Sequence, residues 1–302
     1  MTAKRRGRES CEFASFHPLV LAVHYFLVIG ITMFSMAPLF LCASCLTAWI
    51  YMLLLKGRVF LKQNLIMALS VLLLMTVINT LFTHNGETVL FYINRNRVTL
   101  EAFVYGICAS VMLISVIVWF ESFQILMSSD KLIYLFGKIS PVFGMVISMI
   151  FRFIPLLKTR YEEISMGQKC MGRGSEAGII MRIRQLTREI SILIAWSLEA
   201  AIESADSMAA RGYGLRGRSS FHLFRITGRD IAALVFMAAA GGIVTAGAAG
   251  GYTTMHFYPR LVLEPAGAWK IIVFAVFFIL LFMPFIIEIT GEYKWRKSGL
   301  IS

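Results

Sequence analysis

The sequence predicts an all-α polytopic membrane protein: about six transmembrane helices, plus a domain of long amphipathic helices between the fourth and fifth. Three observations lead there. The 302 residues are 58% hydrophobic and only 15% charged, with a mean hydropathy of +0.74; soluble domains average about half apolar and a quarter charged. Uncharged runs of span length recur. Leu19 to Leu55 is 37 residues without Lys, Arg, Asp or Glu, where one crossing takes about 20. Between 155 and 211 the pattern changes to apolar positions three and four apart with charges on another side, the mark of a helix with one packed face.

The elements follow in order. Residues 1–18 form a polar segment carrying Lys4, Arg5, Arg6 and Arg8. The apolar run behind it exceeds a signal core of about 7–15 residues and lacks a small-residue cleavage site, so it is expected to remain as a first span. Proline disfavours helix at the residue before it. The run therefore folds back at Ser35-Met36-Ala37-Pro38, giving spans near 19–35 and 38–55. Lys56-Gly57-Arg58 and Lys62 make a basic loop, 64–83 a third span, 84–97 a polar connection with turn residues (Asn85-Gly86, Asn94, Asn96), and 102–120 a fourth span. Residues 19–121 are thus a four-span region.

Residues 122–228 read differently. Ser129-Asp130 is expected to cap a helix, and Pro141 to open a second apolar piece. The 13 uncharged residues from Ile139 to Phe151 are short for a crossing. Residues 129–155 are therefore expected to be interfacial or packed against the membrane domain. Pro155 to Arg173 reads as one amphipathic helix with a seam of Leu157, Tyr161, Ile164, Gln168 and Met171; Lys158 and Glu162 pair at i,i+4 on the other side. Gly172 and Gly174 supply a left-handed ending. Arg182, Arg184 and Arg188 form a basic turn, and Thr187 or a neighbour caps a second helix, 188–211, about 35 Å long. One of its faces carries Ile190, Ile194, Ala201, Ala205 and Met208, another Glu199, Glu203 and Asp206. Its alanines make it thin enough for a close helix contact. Residues 229–290 hold two further spans, near 231–255 (rich in Ala and Gly) and 271–287 (Pro284 near its end), and 291–302 is a basic tail.

Lys and Arg number four in 1–12, three in 56–62 and eleven in 158–228, against two in 84–101 and one in 251–268. Six spans with both termini cytoplasmic satisfy the positive-inside bias at every loop. That bias accounts for the net charge of +12. No basic stripe with interleaved aromatics lies outside the spans, so nucleic acid is not an expected partner; the lipid bilayer is.

Several chemistries are missing. A phosphate-cradling loop needs G-x-x-x-x-G-K-[ST]; the nearest likeness, Gly137-Lys138-Ile139, lacks the first glycine and the hydroxyl. Neither H-E-x-x-H nor G-x-S-x-G occurs, and His17, His24, His84, His222 and His256 stand singly. Cys42-x-x-Cys45 has no second pair, so the cysteines are expected to serve as small buried hydrophobes. Ionisable residues are nearly absent from the spans, which argues against a proton- or ion-coupled carrier. No catalytic residue, metal or cofactor is expected. Two alternatives stay open: a membrane enzyme with a site around Glu162, Glu163, Asp206 and His222, and a carrier that works without an ATPase.

Four stretches carry a resemblance: Thr32-Met33-Phe34-Ser35-Met36-Ala37-Pro38; Ser129-Asp130-Lys131-Leu132 leading to Arg152-Phe153-Ile154-Pro155-Leu156-Leu157; Gly172-Arg173-Gly174; and Ala209-Ala210-Arg211-Gly212-Tyr213-Gly214. In this order and spacing the chain resembles, from about residue 17 to 290, the transmembrane T component of energy-coupling factor (ECF) importers, the EcfT/CbiQ family. The resemblance implies a non-catalytic subunit of the plasma membrane of a bacterium or archaeon. Its cytoplasmic helices would form a coupling domain for two ABC-type ATPase subunits, and its membrane helices would hold a substrate-binding S component for a vitamin or metal ion. It implies ATPase-docking residues at two helix ends, Gly172, Arg173 and Gly174 at the first and Ala210, Arg211 and Gly212 at the second. Gly172 stands where alanine is usual in the family.

Overall fold

The computed structural model describes residues 12–83, 85–93, 96–172, 178–213, 224–258 and 267–297. Among them are nine α-helices, one short 3-10 turn (Phe13–Ser15) and one hairpin, and the chain divides into two compact units, 1–128 with 224–302, and 129–223. The second unit is the amphipathic region, with narrower limits than the expected 122–228. Six helices are long and apolar enough to cross a membrane, as a multi-pass membrane protein requires. They are not quite the six expected. Helix α1 (Pro18–Phe34) is apolar but has 17 residues, while Val142–Cys170 joins the long apolar set.

Proline places the first break where the sequence put it. Ser35 and Ala37 are extended, Pro38 opens helix α2 (Pro38–Lys56), and Ala37 N–H donates to Thr253 O at 2.9 Å. The next connection is tighter than expected. Gly57 alone, at φ +66°, separates α2 from helix α3 (Arg58–Phe82), so the basic stretch 58–62 is helical rather than a loop. A side chain would resist that backbone conformation; glycine does not. Glu121 ties the turn down, pairing with Lys56 and accepting from Asn64 Nδ2 at 2.8 Å.

The connection after α3 holds an antiparallel hairpin that the turn residues concealed. Strand β1 (Val89–Ile93) pairs with β2 (Asn96–Thr99), Val89 opposite Thr99 and Ile93 opposite Asn96. Val-Leu-Phe-Tyr-Ile is a strand-forming run. Helix α4 (Leu100–Leu126) follows at once, and its buried Glu101 accepts from the Thr88 backbone N–H (3.2 Å) and hydroxyl. A Cβ at Gly86 would lie 2.5 Å from the Glu101 carboxylate, which explains a glycine there.

The core of this unit is aromatic. Trp119, Tyr25, Tyr51 and Phe13 are fully buried around His24, whose ring meets Phe13, Tyr25 and Trp119 edge-on. Trp119 Nε1 donates to Ser44 Oγ at 3.1 Å, and Ser44 in turn pairs with Thr32 at 2.9 Å. His24 is thus a packed histidine, as its place in an apolar run suggests. Of the Cys42-x-x-Cys45 pair, expected as small buried hydrophobes, Cys42 is exposed and Cys45 half-buried; Cys108 is buried and Cys170 exposed.

Helix α8 (Gly228–Ala249) opens with a capping box built by Thr227 and Asp230. Buried Asp230 accepts from Thr227 N–H (2.8 Å), Thr227 Oγ1 (2.6 Å) and, across the fold, His17 N–H (3.1 Å). His17 Nδ1 in turn accepts from Leu19 N–H and caps α1. One carboxylate therefore serves the starts of two helices. Asp230→Ala is expected to destabilise this unit by about 1–2 kcal/mol, measured by thermal unfolding in detergent, with Asp230→Asn recovering part of the loss; an unchanged midpoint for the alanine variant would show the cap to be idle. Helix α8 ends at Ala249, short of the expected 255, where Gly250 and the left-handed Gly251 turn the chain. Helix α9 (Ala268–Lys297) runs through Pro284 and takes in the start of the expected tail.

In the second unit, helix α5 (Ser129–Ile139) begins at the expected serine and packs on helix α6 (Pro141–Cys170). Gly137 and Gly144 let the two backbones meet, and Phe136 contacts Phe143 edge-on. Pro155 lies inside α6 instead of starting a helix: an apolar piece and an amphipathic piece are one 30-residue helix. Proline removes one hydrogen bond without obliging the chain to stop. Helix α7 (Ile179–Ala210) is also longer than expected. Arg182, Arg184 and Arg188 lie within it rather than in a turn, and Thr187 is no cap; its hydroxyl donates back to Ile183 O at 3.0 Å.

Candidate functional site

Helices α6 and α7 carry the residues that the sequence singled out. Their shared seam is legible on α6: Leu157, Tyr161 and Ile164 are half-buried and Gln168 is buried, while Met171 is exposed. On α7 the less exposed face is Gln185, Glu189, Leu193, Trp196, Ala200 and Ser204. It is for the most part not the face expected: Ile190, Ile194, Ala201 and Ala205 are exposed, and of that set Met208 is half-buried. At the centre of the seam Glu189, 2% exposed, accepts from Gln185 Nε2 of its own helix at 2.9 Å and lies beside the Tyr161 side chain of α6. The Arg160 guanidinium lies 5.0 Å over the Trp196 ring and also pairs with Glu163 at 2.6 Å. The buried carboxylate takes its hydrogen bond from its own helix, and Tyr161 beside it together with Arg160 over Trp196 marks the register between the two helices.

Both helices end in the same backbone device. Helix α7 closes on Arg211 (φ −82°, ψ 7°) followed by Gly212 at φ +74°. Gly212 N–H donates to Ala209 O and Tyr213 N–H to Met208 O, both at 3.0 Å, which is the Schellman ending. Helix α6 closes on Met171 (φ −79°, ψ 12°) followed by Gly172 at φ +75°, with Gly172 N–H donating to Lys169 O at 3.0 Å. Gly172, Ala210, Arg211 and Gly212 are thus placed at exposed or half-exposed helix ends. Arg173 and Gly174 lie outside the described residues. From the Tyr161–Glu189 contact, the α6 end lies about 14 Å along its helix and the α7 end about 32 Å along its own, at 1.5 Å per residue.

Glu162, Glu163 and Asp206 are exposed, and His222 lies outside the described residues. Among the described residues no group of three His, Cys, Asp or Glu side chains could hold a metal ion. The residues missed from sequence were Gln185, Glu189 and Trp196. Their spacing of four and seven places them with Leu193 on one stripe, but a stripe with a glutamate at its centre does not look buried until its partner is known.

What the fold defines is a class: a multi-pass α-helical membrane protein with a separate unit of long helices. No family model matches the chain, and no curated protein matches it.

Proposed function

We propose that the chain is the membrane-embedded coupling subunit of an ATP-driven importer, a T component of the ECF type. In this reading it performs no chemistry. Two ATPase subunits bind the ends of α6 and α7 on the cytoplasmic side, and their closure on ATP moves those ends. The Glu189–Tyr161 contact transmits the motion between the two levers. The membrane helices pass it to a separate S component that carries a vitamin or metal ion.

The observation that carries the reading is the matched pair of helix ends, built alike and exposed, on two helices joined by a buried polar contact. Helix C-termini carry a partial negative charge, and Arg211 adds a fork of five donors suited to carboxylates and carbonyls in a groove. The scarcity of ionisable residues in the spans agrees with an external power source.

The test is purification of the tagged chain from native membranes. Wild type is expected to bring down two ATP-binding chains and one small membrane protein. Arg211→Glu is expected to lower recovery of the ATP-binding chains at least about tenfold, a loss of about 1.4 kcal/mol or more, with membrane insertion unchanged. Folded wild type that comes down alone, or a variant that retains its partners, would overturn the reading.

A further inference from the structure

Helix α7 is polarised along its length. Its opening stretch, Ile179 to Arg188, holds Arg182, Arg184 and Arg188 and no acidic residue. The rest, Glu189 to Ala210, holds Glu189, Glu199, Glu203 and Asp206 and no basic one. A helix dipole favours acids at the start and bases at the end, and α7 has no acid in its first turn and no base in its last. The pattern therefore does nothing for the helix itself. All three arginines are exposed, and among the described residues none of them pairs with a carboxylate.

The same part of the helix carries an apolar face that the seam with α6 leaves uncovered. Ile179, Ile183, Leu186, Ile190 and Ile194 recur at spacings of four, three, four and four, so they share one side of the helix over about 23 Å. Their exposure runs from 41% at Leu186 to 81% at Ile179. By helical spacing Arg182 and Arg184 flank this face and Arg188 lies behind it. Yet α7 is not among the helices long and apolar enough to cross a membrane. A helix with an aliphatic side, arginines around it and too little hydropathy to span is suited to lie in a bilayer surface, with its apolar side sunk about 5–10 Å. Long arginine side chains then reach the headgroups while their stems cover apolar surface.

We infer that the first half of α7 is a lipid-binding surface: its isoleucine and leucine face enters the acyl layer, and Arg182, Arg184 and Arg188 take anionic headgroups. The charge fits that occupant, because a basic cluster is drawn to an anionic leaflet. Two further observations favour lipid over a protein partner. The second unit is joined at both ends to the membrane unit, which keeps a bilayer near it at high effective concentration. The face also holds no Trp, Tyr or Phe, whereas protein interfaces are enriched in aromatic anchors. Glu199, Glu203 and Asp206 are repelled by the same lipid, so the far end of the helix, with Arg211, stays in water. The surface requires only a multi-pass membrane protein and is independent of any ATPase.

The test uses the full chain in vesicles of phosphatidylcholine, with or without phosphatidylglycerol, each carrying a trace of phosphatidylcholine with a photoactivatable acyl chain. Mass spectrometry reads the labelling of residues 179–194. Phosphatidylglycerol is expected to raise it at least about tenfold, and salt at about 1 M to remove the gain from the wild-type chain. Replacing Arg182, Arg184 and Arg188 together by glutamine is expected to abolish the gain, and Ile183→Ser with Ile190→Ser to lower labelling in both vesicles. Unchanged labelling of α2 and α3 checks that the variants insert and fold. Labelling of 179–194 that is equal in the two vesicles, that the glutamine variant retains, or that is no higher than at 199–210, would overturn the assignment. So would a photo-crosslinking side chain at position 190 that captures a protein instead of lipid in native membranes.

Discussion

Trp119→Ala is expected to lower the stability of the membrane unit by about 3 kcal/mol or more. The indole is fully buried, lies edge-on to His24 and Tyr25 with centroids at 6.3 and 6.1 Å, and stacks on Tyr51 at 6.3 Å. Its removal opens a cavity that the surrounding rings cannot fill, and aromatic truncations of this kind cost about 3–5 kcal/mol. In a bilayer, lipid tails are as apolar as the core, so the loss comes from packing rather than from exposure to water. Truncation also strips Ser44 of the indole donor at 3.1 Å, although Thr32 remains bonded to it. Trp119→Phe separates the two parts, because it keeps most of the ring volume and gives up the hydrogen bond, and should cost about 1 kcal/mol. Unfolding in detergent, followed by far-ultraviolet circular dichroism, measures both. Equal losses for the two variants would mean that the hydrogen bond, not the packing, carries the site.

Gly144→Leu is expected to part the hairpin of α5 and α6. A Cβ at residue 144 would stand 2.4 Å from Gly137 Cα and 3.0 Å from Gly137 N. Both are backbone atoms on a neighbouring helix, so no rotamer change relieves the clash, and the helices must move apart. Overpacking where neighbours can yield costs about 1–3 kcal/mol, and here they cannot. Amide hydrogen exchange localises the effect: protection should fall across residues 129–170 and hold across the helices of the membrane unit. Unchanged exchange in α5 would show that the close approach is not needed for the hairpin. Gly137→Ala is a milder control, since its Cβ meets only Gly144 Cα at 3.6 Å, an ordinary contact.

Much of the membrane unit was legible because its signals are local. Pro38 opens α2, and the uncharged runs of α2, α3, α4, α8 and α9 all became helices. Pro155 is the opposite case. Proline before a helix and proline inside one leave the same letter in the sequence, and only the continuity of the backbone on both sides separates them. The hairpin was hidden for a related reason: a five-residue strand run among turn residues needs its pairing strand, and Glu101 of the next helix bonds Thr88 just ahead of it. Arg182, Arg184 and Arg188 suggested a turn because charge marks loops between spans, yet a long helix that is not itself apolar enough to span carries charge along its length as readily.

By itself the sequence determined the class of the protein, a multi-pass bundle of apolar helices with long amphipathic helices inserted between spans, because hydropathy and run length depend on neighbouring residues alone. It also determined that α6 and α7 would end on glycine. The structure puts Gly172 in a left-handed turn, which places Met171 in the position that corresponds to Arg211. It decided too which stripe of α7 is covered. That helix has isoleucines, alanines and small polar residues on several sides, so periodicity names no single face. The covered one is the one whose Glu189 lies beside Tyr161 of α6 and accepts from Gln185, and a charge is buried only where a donor meets it.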